Sequence, residues 1–187
     1  VNLFTNGKDQ EFLEVKYAEV FASLAQSTTI LDYGCKNLGD TGLEQLCEAL
    51  PYFQRLSKLE LWGNQITDQG AKSLAEALCA GVAPNLNAIR LNANDFGDEG
   101  LCAIIKTLAH HKQVAKLCIR RNRITDQGAQ SLVDVLRSGT VPHLQKLDLG
   151  RNRLSQVGKW ALRKAWWSTG HRPCTRVSAA LARLAVP

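Results

Sequence analysis

The stretch Leu56 to Gly70, LSKLELWGNQITDQG, recurs along the chain, and the period of its recurrence limits what the chain can fold into. With Asn64 as the anchor, its counterparts are Lys36, Asn94, Asn122 and Asn152, so successive anchors stand 28, 30, 28 and 30 residues apart. The longer steps are those that carry Pro84 and Pro142 before the next strand. A unit of this length cannot bury its apolar face alone and must stack against copies of itself. The period therefore predicts a solenoid.

Each repeat contains two kinds of apolar spacing. Leu59 and Leu61, Ile89 and Leu91, Leu117 and Ile119, Leu147 and Leu149, and Leu31 and Tyr33 lie two apart, which is strand periodicity. Leu74 and Leu78 after Gly70, or Leu132 and Leu136 after Gly128, have helical spacing. Thr67 with Asp68, and Thr125 with Asp126, stand where a helix start wants a capping oxygen and an early negative charge. One strand and one helix per repeat predict parallel strands joined by helices on the outer face.

The run LxxLxLxxNxITDxGAxxLxxxL resembles the leucine-rich repeat, in the long subclass similar to ribonuclease inhibitor and to the repeat domains of nucleotide-binding innate immune receptors. The resemblance spans residues 28–168 and implies an α/β right-handed solenoid of about five repeats, with a curved parallel sheet on the concave side and helices on the convex side. It implies no catalytic residues and no cofactor.

Residues 1–27 read as an N-terminal capping helix, because Phe12, Val15, Ala18, Val20, Phe21 and Leu24 form a broad apolar face and a terminal repeat otherwise exposes its stacking surface. Residues 169–187 read as a basic C-terminal tail. The six cysteines, Cys35, Cys47, Cys79, Cys102, Cys118 and Cys174, are scattered and form no CxxC pair, as expected of unpaired thiols in a reducing compartment. The opening residues lack the basic start and apolar run of a secretory signal, and no stretch is long enough to span a bilayer. Val1 reads as a processed or trimmed end, and the chain as intracellular, in the cytoplasm or in an organelle after import.

The net charge of +6 is unevenly distributed. Residues 1–94 hold seven Lys and Arg against eleven Asp and Glu, a net of −4, while residues 95–187 hold sixteen against six, a net of +10. The two ends of the array should therefore attract different surfaces.

Several recurring polar residues have structural readings. The asparagine anchors carry both a donor and an acceptor, which suits backbone groups buried in the turn after each strand. Lys36 breaks that series, which marks the first repeat as an end unit whose turn faces water. Asp68, Asp98 and Asp126 read as helix caps rather than catalytic acids, and His110 and His111 as solvated loop residues rather than metal ligands. No phosphate-binding glycine loop, GxSxG elbow, HExxH or dinucleotide glycine triplet occurs, so the chain reads as non-enzymatic, with no metal site.

Function is expected on the inner face of the sheet. If Leu59 and Leu61 point into the core, Lys58, Glu60 and Trp62 point to solvent, and the same register exposes Ala88, Arg90 and Asn92, then Lys116, Cys118 and Arg120, then Lys146, Asp148 and Gly150. Arg121, Arg123, Arg151 and Arg153 follow the strands, so this face should run from mixed to strongly basic. Arginine suits carboxylate recognition, and exposed tryptophan suits an interface anchor. The candidate partner-binding residues are Trp62, Arg90, Arg120, Arg121, Arg151 and Arg153. The expected occupant is a protein partner with an acidic surface, held by an interaction module or scaffold subunit on the concave face and edges.

The stretch Gly158 to Trp167, GKWALRKAWW, supports two readings: a cap whose aromatic side chains cover the last core, or a docking segment for RNA, an anionic membrane or a neighbouring subunit. An accessory subunit of a ribonucleoprotein or membrane assembly, docked by the basic C-terminal half, is thus the second functional reading. An enzyme regulator, of the inhibitor or GTPase-activating type that the subclass includes, is the third. A basic inner surface argues against inhibition of basic ribonucleases.

Overall fold

The computed structural model describes residues 8–170. The elements alternate as the period requires: α1 (Lys8–Ser27), β1 (Ile30–Asp32), α2 (Gly39–Ala49), β2 (Lys58–Glu60), α3 (Asp68–Cys79), β3 (Ala88–Arg90), α4 (Asp98–His110), β4 (Lys116–Cys118), α5 (Asp126–Arg137), β5 (Lys146–Asp148) and α6 (Gln156–Ser168). The five strands pair in parallel in chain order. Leu31, Leu59, Ile89, Leu117 and Leu147 stand side by side across the sheet. All five are buried, with Leu61, Leu91 and Ile119 behind them against Leu74, Leu101 and Leu132 of the helices. The result is an α/β leucine-rich-repeat solenoid with a single continuous core.

Two side-chain ladders tie the repeats together, and they reach in opposite directions. The asparagines reach back. Asn94 Oδ1 accepts from the backbone N–H groups of Asn64 and Ile66 at 2.9 and 3.1 Å, while its Nδ2 donates to the carbonyls of Leu61 and Leu91. Asn64 does the same for Lys36 and Leu38, and Asn152 for Asn122 and Ile124. Lys36 needs no amide of its own, because α1 rather than a repeat precedes its strand, and its side chain is exposed.

The aspartates reach forward. Asp68 Oδ1 accepts from Gly97 N and Gly100 N, and Asp40, Asp98 and Asp126 accept from both the backbone and the hydroxyl of Thr67, Thr125 and Ser155 respectively. Each aspartate therefore caps the helix of the following repeat. This extends the sequence reading: Thr67 and Thr125 cap their own helices through Gln69 N and Gln127 N, but Asp68 and Asp126 serve the neighbour. A carboxylate at a helix N-terminus satisfies orphan N–H groups and meets the positive end of the helix dipole. The series stops at Gln156, the corresponding residue of the last repeat.

Two histidine and helix-end details also depart from expectation. His110 is the exposed last residue of α4, but His111 is buried, and its Nε2 donates to the Leu78 carbonyl at the end of α3 at 2.8 Å. It is a C-terminal cap reaching across repeats, not a solvated loop residue. In α1, Ala25 is buried and Phe21 packs edge-on against Tyr52 and Phe53, while Tyr17, Val20 and Leu24 face solvent. The side chains of Phe12 and Val15, and residues 171–187 with Cys174, lie outside the described residues.

Candidate partner-binding edge

The strand side of the solenoid is built of rows that run across the repeats, because parallel pairing in constant register aligns equivalent positions. The first row is Ile30, Lys58, Ala88, Lys116 and Lys146, and the second is Asp32, Glu60, Arg90, Cys118 and Asp148. Two positions beyond the strands comes a third: Gly34, Trp62, Asn92, Arg120 and Gly150. The inner face therefore does not grade simply from mixed to basic. A lysine row lies beside a row holding three carboxylates.

That arrangement separates the candidate residues. Arg90 lies beside Glu60 across the sheet, with Nη1 3.0 Å from Oε1, and the glutamate is almost fully buried. A charge held this way is matched within the chain and is less free for a partner. Trp62 is exposed, but its indole lies flat over Gly34 of the first repeat, where a Cβ would fall only 2.6 Å from Cζ2. Arg120, in the same row, leans the other way over Gly150, its Cδ 3.7 Å from where a Cβ would stand, and its Nε is buried without a partner. Two strand spacings, about 10 Å, separate the backbones of Trp62 and Arg120.

The remaining arginines come together. Arg121 and Arg151 are neighbours in the row just before the asparagine anchors, and both are exposed. Every residue of that row has a left-handed backbone, with φ of 53° at Cys35, 70° at Gly63, 54° at Ala93, 56° at Arg121 and 60° at Arg151. The turn needs that conformation so that Gly63 N, Ala93 N and Arg121 N can reach the carbonyls of Asn92, Arg120 and Gly150 in the next repeat. Glycine adopts it freely; arginine does not. Arg153 is exposed two positions beyond Arg151, and Arg123, its counterpart, is paired with Asp95 at 2.6 Å. Among the described residues, Arg120, Arg121, Arg151 and Arg153 have no carboxylate within ion-pairing distance.

Two cysteines lie on this edge: Cys35, exposed in the row of Arg121 and Arg151, and Cys118, in the second row. Burial, the largest effect, pushes the Cys118 thiol up, with Asp148 and Glu60 adding and Lys146 and Arg90 opposing. Cys47, on α2, is pushed up to about 11 by burial and by Glu44. Cys35, Cys47, Cys79, Cys102 and Cys118 are all free thiols. Sequence reasoning missed the forward aspartate ladder and the buried role of His111. The recurring DxG spacing was a visible signal for the first; nothing local marks the second.

The chain is a leucine-rich-repeat protein. The family model described as "Leucine Rich repeat" matches residues 55–75, 82–104, 116–133 and 142–158, which are the four repeats after the first. Its repeats are of the ribonuclease-inhibitor-like kind. The chain is 32% identical to the ribonuclease inhibitor of Sus scrofa over 68% of its own length and 28% of the relative's, and 35% identical to that of Mus musculus over 67% and 27%. It is 30% identical to the human NACHT, LRR and PYD domains-containing protein 12 over 65% of this chain and 11% of that one. The chain thus spans about a tenth to just over a quarter of these relatives. In three dimensions it is similar to actin-binding site 2 of leiomodin-1 (TM-score 0.61, 15% identity, 89% of this chain and 91% of that one). It is also similar to the tropomodulin C-terminal domain of Caenorhabditis elegans (0.63, 14%, 90% and 98%). Fold and repeat class make it a protein-interaction module.

Proposed function

We propose that the chain is a non-enzymatic scaffold or adaptor that holds an acidic surface of a protein partner on the strand side of its fourth and fifth repeats. The observation that carries this reading is the group of four arginines, Arg120, Arg121, Arg151 and Arg153, on two adjacent turns with no carboxylate among the described residues to pair with. Unpaired guanidinium groups at repeat spacing match a run of carboxylates, each of which can take two N–H donors at once. Trp62 provides an apolar anchor further along the same face, and the lysine row of Lys58, Lys116 and Lys146 extends the attraction. Arg90, matched by Glu60, orders the sheet surface rather than binding. In the same reading α1 closes the N-terminal end of the array.

The test is recovery of partners from native lysate on the tagged chain, at low and raised salt, with and without nuclease, beside an Arg121→Glu, Arg151→Glu variant. These two side chains are exposed, whereas Arg120 is half-buried, so their replacement spares the fold. A protein retained through nuclease and lost with the variant supports the reading. A partner that the variant holds as well as the parent removes the arginine edge from the site.

A further inference from the structure

The last helix breaks with the others on its outer side. Val157, Trp160, Lys164 and Trp167 occupy the positions of Gln69, Lys72, Glu76 and Cys79 in α3, and of Gln127, Gln130, Asp134 and Arg137 in α5. In α3 and α5, which have a helix on either side, the first, third and fourth of these positions remain exposed. A further helix stacked beyond α6 would therefore leave Val157, Lys164 and Trp167 in water, and covering the end of the core is not what this stripe does. Trp166 does that: it stands where α3 and α5 have Leu78 and Leu136 and is 3% exposed. Val157, Trp160 and Trp167, by contrast, are 75%, 62% and 51% exposed. Steps of three, four and three residues place them with Lys164 along one side of the helix, over about 15 Å.

We propose that this stripe seats the solenoid on an anionic membrane surface, with the two indoles at the level of the lipid headgroups and Lys164 beside them against lipid phosphate. Three observations favour lipid over protein or nucleic acid. Lysine stands in the middle of the stripe, where the core of a protein interface is depleted in lysine, whereas tryptophan and lysine together are the usual residents of a bilayer interface. The Arg163 guanidinium lies 4.1 Å from the centre of the Trp167 ring, and the Lys164 ammonium 5.1 Å from that of Trp160, so a face of each indole that a base would stack on already carries a cation. The charge is also one-sided. From Leu149 onward the chain holds eight Lys and Arg and no Asp or Glu, a composition drawn to anionic headgroups. Among the described residues no helix is long and apolar enough to cross a membrane, so the contact lies on the bilayer. It is on the helix side of the solenoid, separate from the arginine edge.

The experiment is flotation of the full chain with vesicles of phosphatidylcholine alone and of phosphatidylcholine mixed with an equal amount of phosphatidylglycerol, with tryptophan emission recorded on the same samples. The parent should float with the anionic vesicles only, with a blue shift that raised salt reverses. A Trp160→Gln, Trp167→Gln variant and a Lys164→Glu variant should each bind roughly tenfold more weakly. The Arg121→Glu, Arg151→Glu variant should keep the blue shift, so that failure here and failure of the arginine edge are told apart. Melting curves check that each variant folds, and Lys164→Glu decides if the double tryptophan variant does not. Equal binding to neutral vesicles, undiminished flotation of the folded variants, or binding of an RNA homopolymer or a protein by the stripe in place of vesicles would overturn the proposal.

Discussion

Asp68 Oδ1 accepts a hydrogen bond from Gly100 N at 2.7 Å, and a Cβ at position 100 would lie at the same distance from that oxygen. Gly100 is therefore required by the aspartate of the preceding repeat. Gly70 faces Asp40, Gly128 faces Asp98 and Gly158 faces Asp126 in the same way. A feature that looks like local helix-start chemistry is a contact between repeats.

Gly100→Ala should consequently run against helix propensity. Alanine would ordinarily gain roughly 1 kcal/mol in a helix. Here its methyl would also meet Ala71 Cβ at 2.9 Å and Phe96 Cβ at 3.0 Å, neither of which can give way. We expect a net loss of about 1–3 kcal/mol, read as a lower midpoint in urea denaturation at unchanged slope. A midpoint equal to or above the parent's would remove the close-approach argument.

The asparagine ladder is not uniform, and its unevenness is testable. Asn94 uses both ends of its amide, whereas the buried Oδ1 of Asn122 has no partner and only its Nδ2 is engaged, with Leu91 and Ile119. Asn94→Ala strands two N–H groups and the Leu61 carbonyl, while the Leu91 carbonyl keeps its bond from Asn122 Nδ2, at about 1–3 kcal/mol for each buried group left unpaired. Asn122→Ala strands fewer. Denaturation of the two variants side by side should show the larger loss at position 94.

Replacing Arg121 and Arg151 with glycine separates stability from binding. Both residues hold left-handed backbones that glycine adopts without strain, and Gly63 already occupies the equivalent position. The freer unfolded chain offsets part of the gain, so the double variant should melt at the parent's temperature or above it, by up to about 1 kcal/mol per site. Under the proposed function it loses the acidic partner all the same. A destabilised variant would mean that the arginine side chains support the fold.

Thiol chemistry should sort the cysteines by burial. Cys35 and Cys79 are exposed, while the Cys47 thiol is pushed up to about 11 and that of Cys118 also upward, each chiefly by burial. Mild alkylation above neutrality should label Cys35 and Cys79 well before Cys47 and Cys118, as mass spectrometry of digests would show. The linkage sign follows: the folded state holds the Cys47 proton more tightly than the unfolded chain, whose thiol has the ordinary value of 9.0. Stability from this group is therefore whole below pH 9 and declines as pH rises toward 11. Rapid labelling of Cys47 in the folded protein would contradict its burial.

Much of the architecture was legible because a repeat writes each local preference several times. Leucines two apart, then leucines at helical spacing after a glycine, specify strand and helix; the anchor spacing specifies that they stack; and buried asparagine follows from the double hydrogen-bonding capacity of an amide. Those properties belong to short stretches of chain. The tertiary structure alone decided which neighbour each ladder residue reaches, backward for Asn94 and forward for Asp68, since direction depends on the offset between stacked turns. It also divided look-alike residues: Arg90 is matched by Glu60 while Arg121 is not, His111 is buried while His110 is exposed, and Trp166 enters the core while Trp160 and Trp167 face out. The members of each such comparison share residue type and differ in what the fold places beside them.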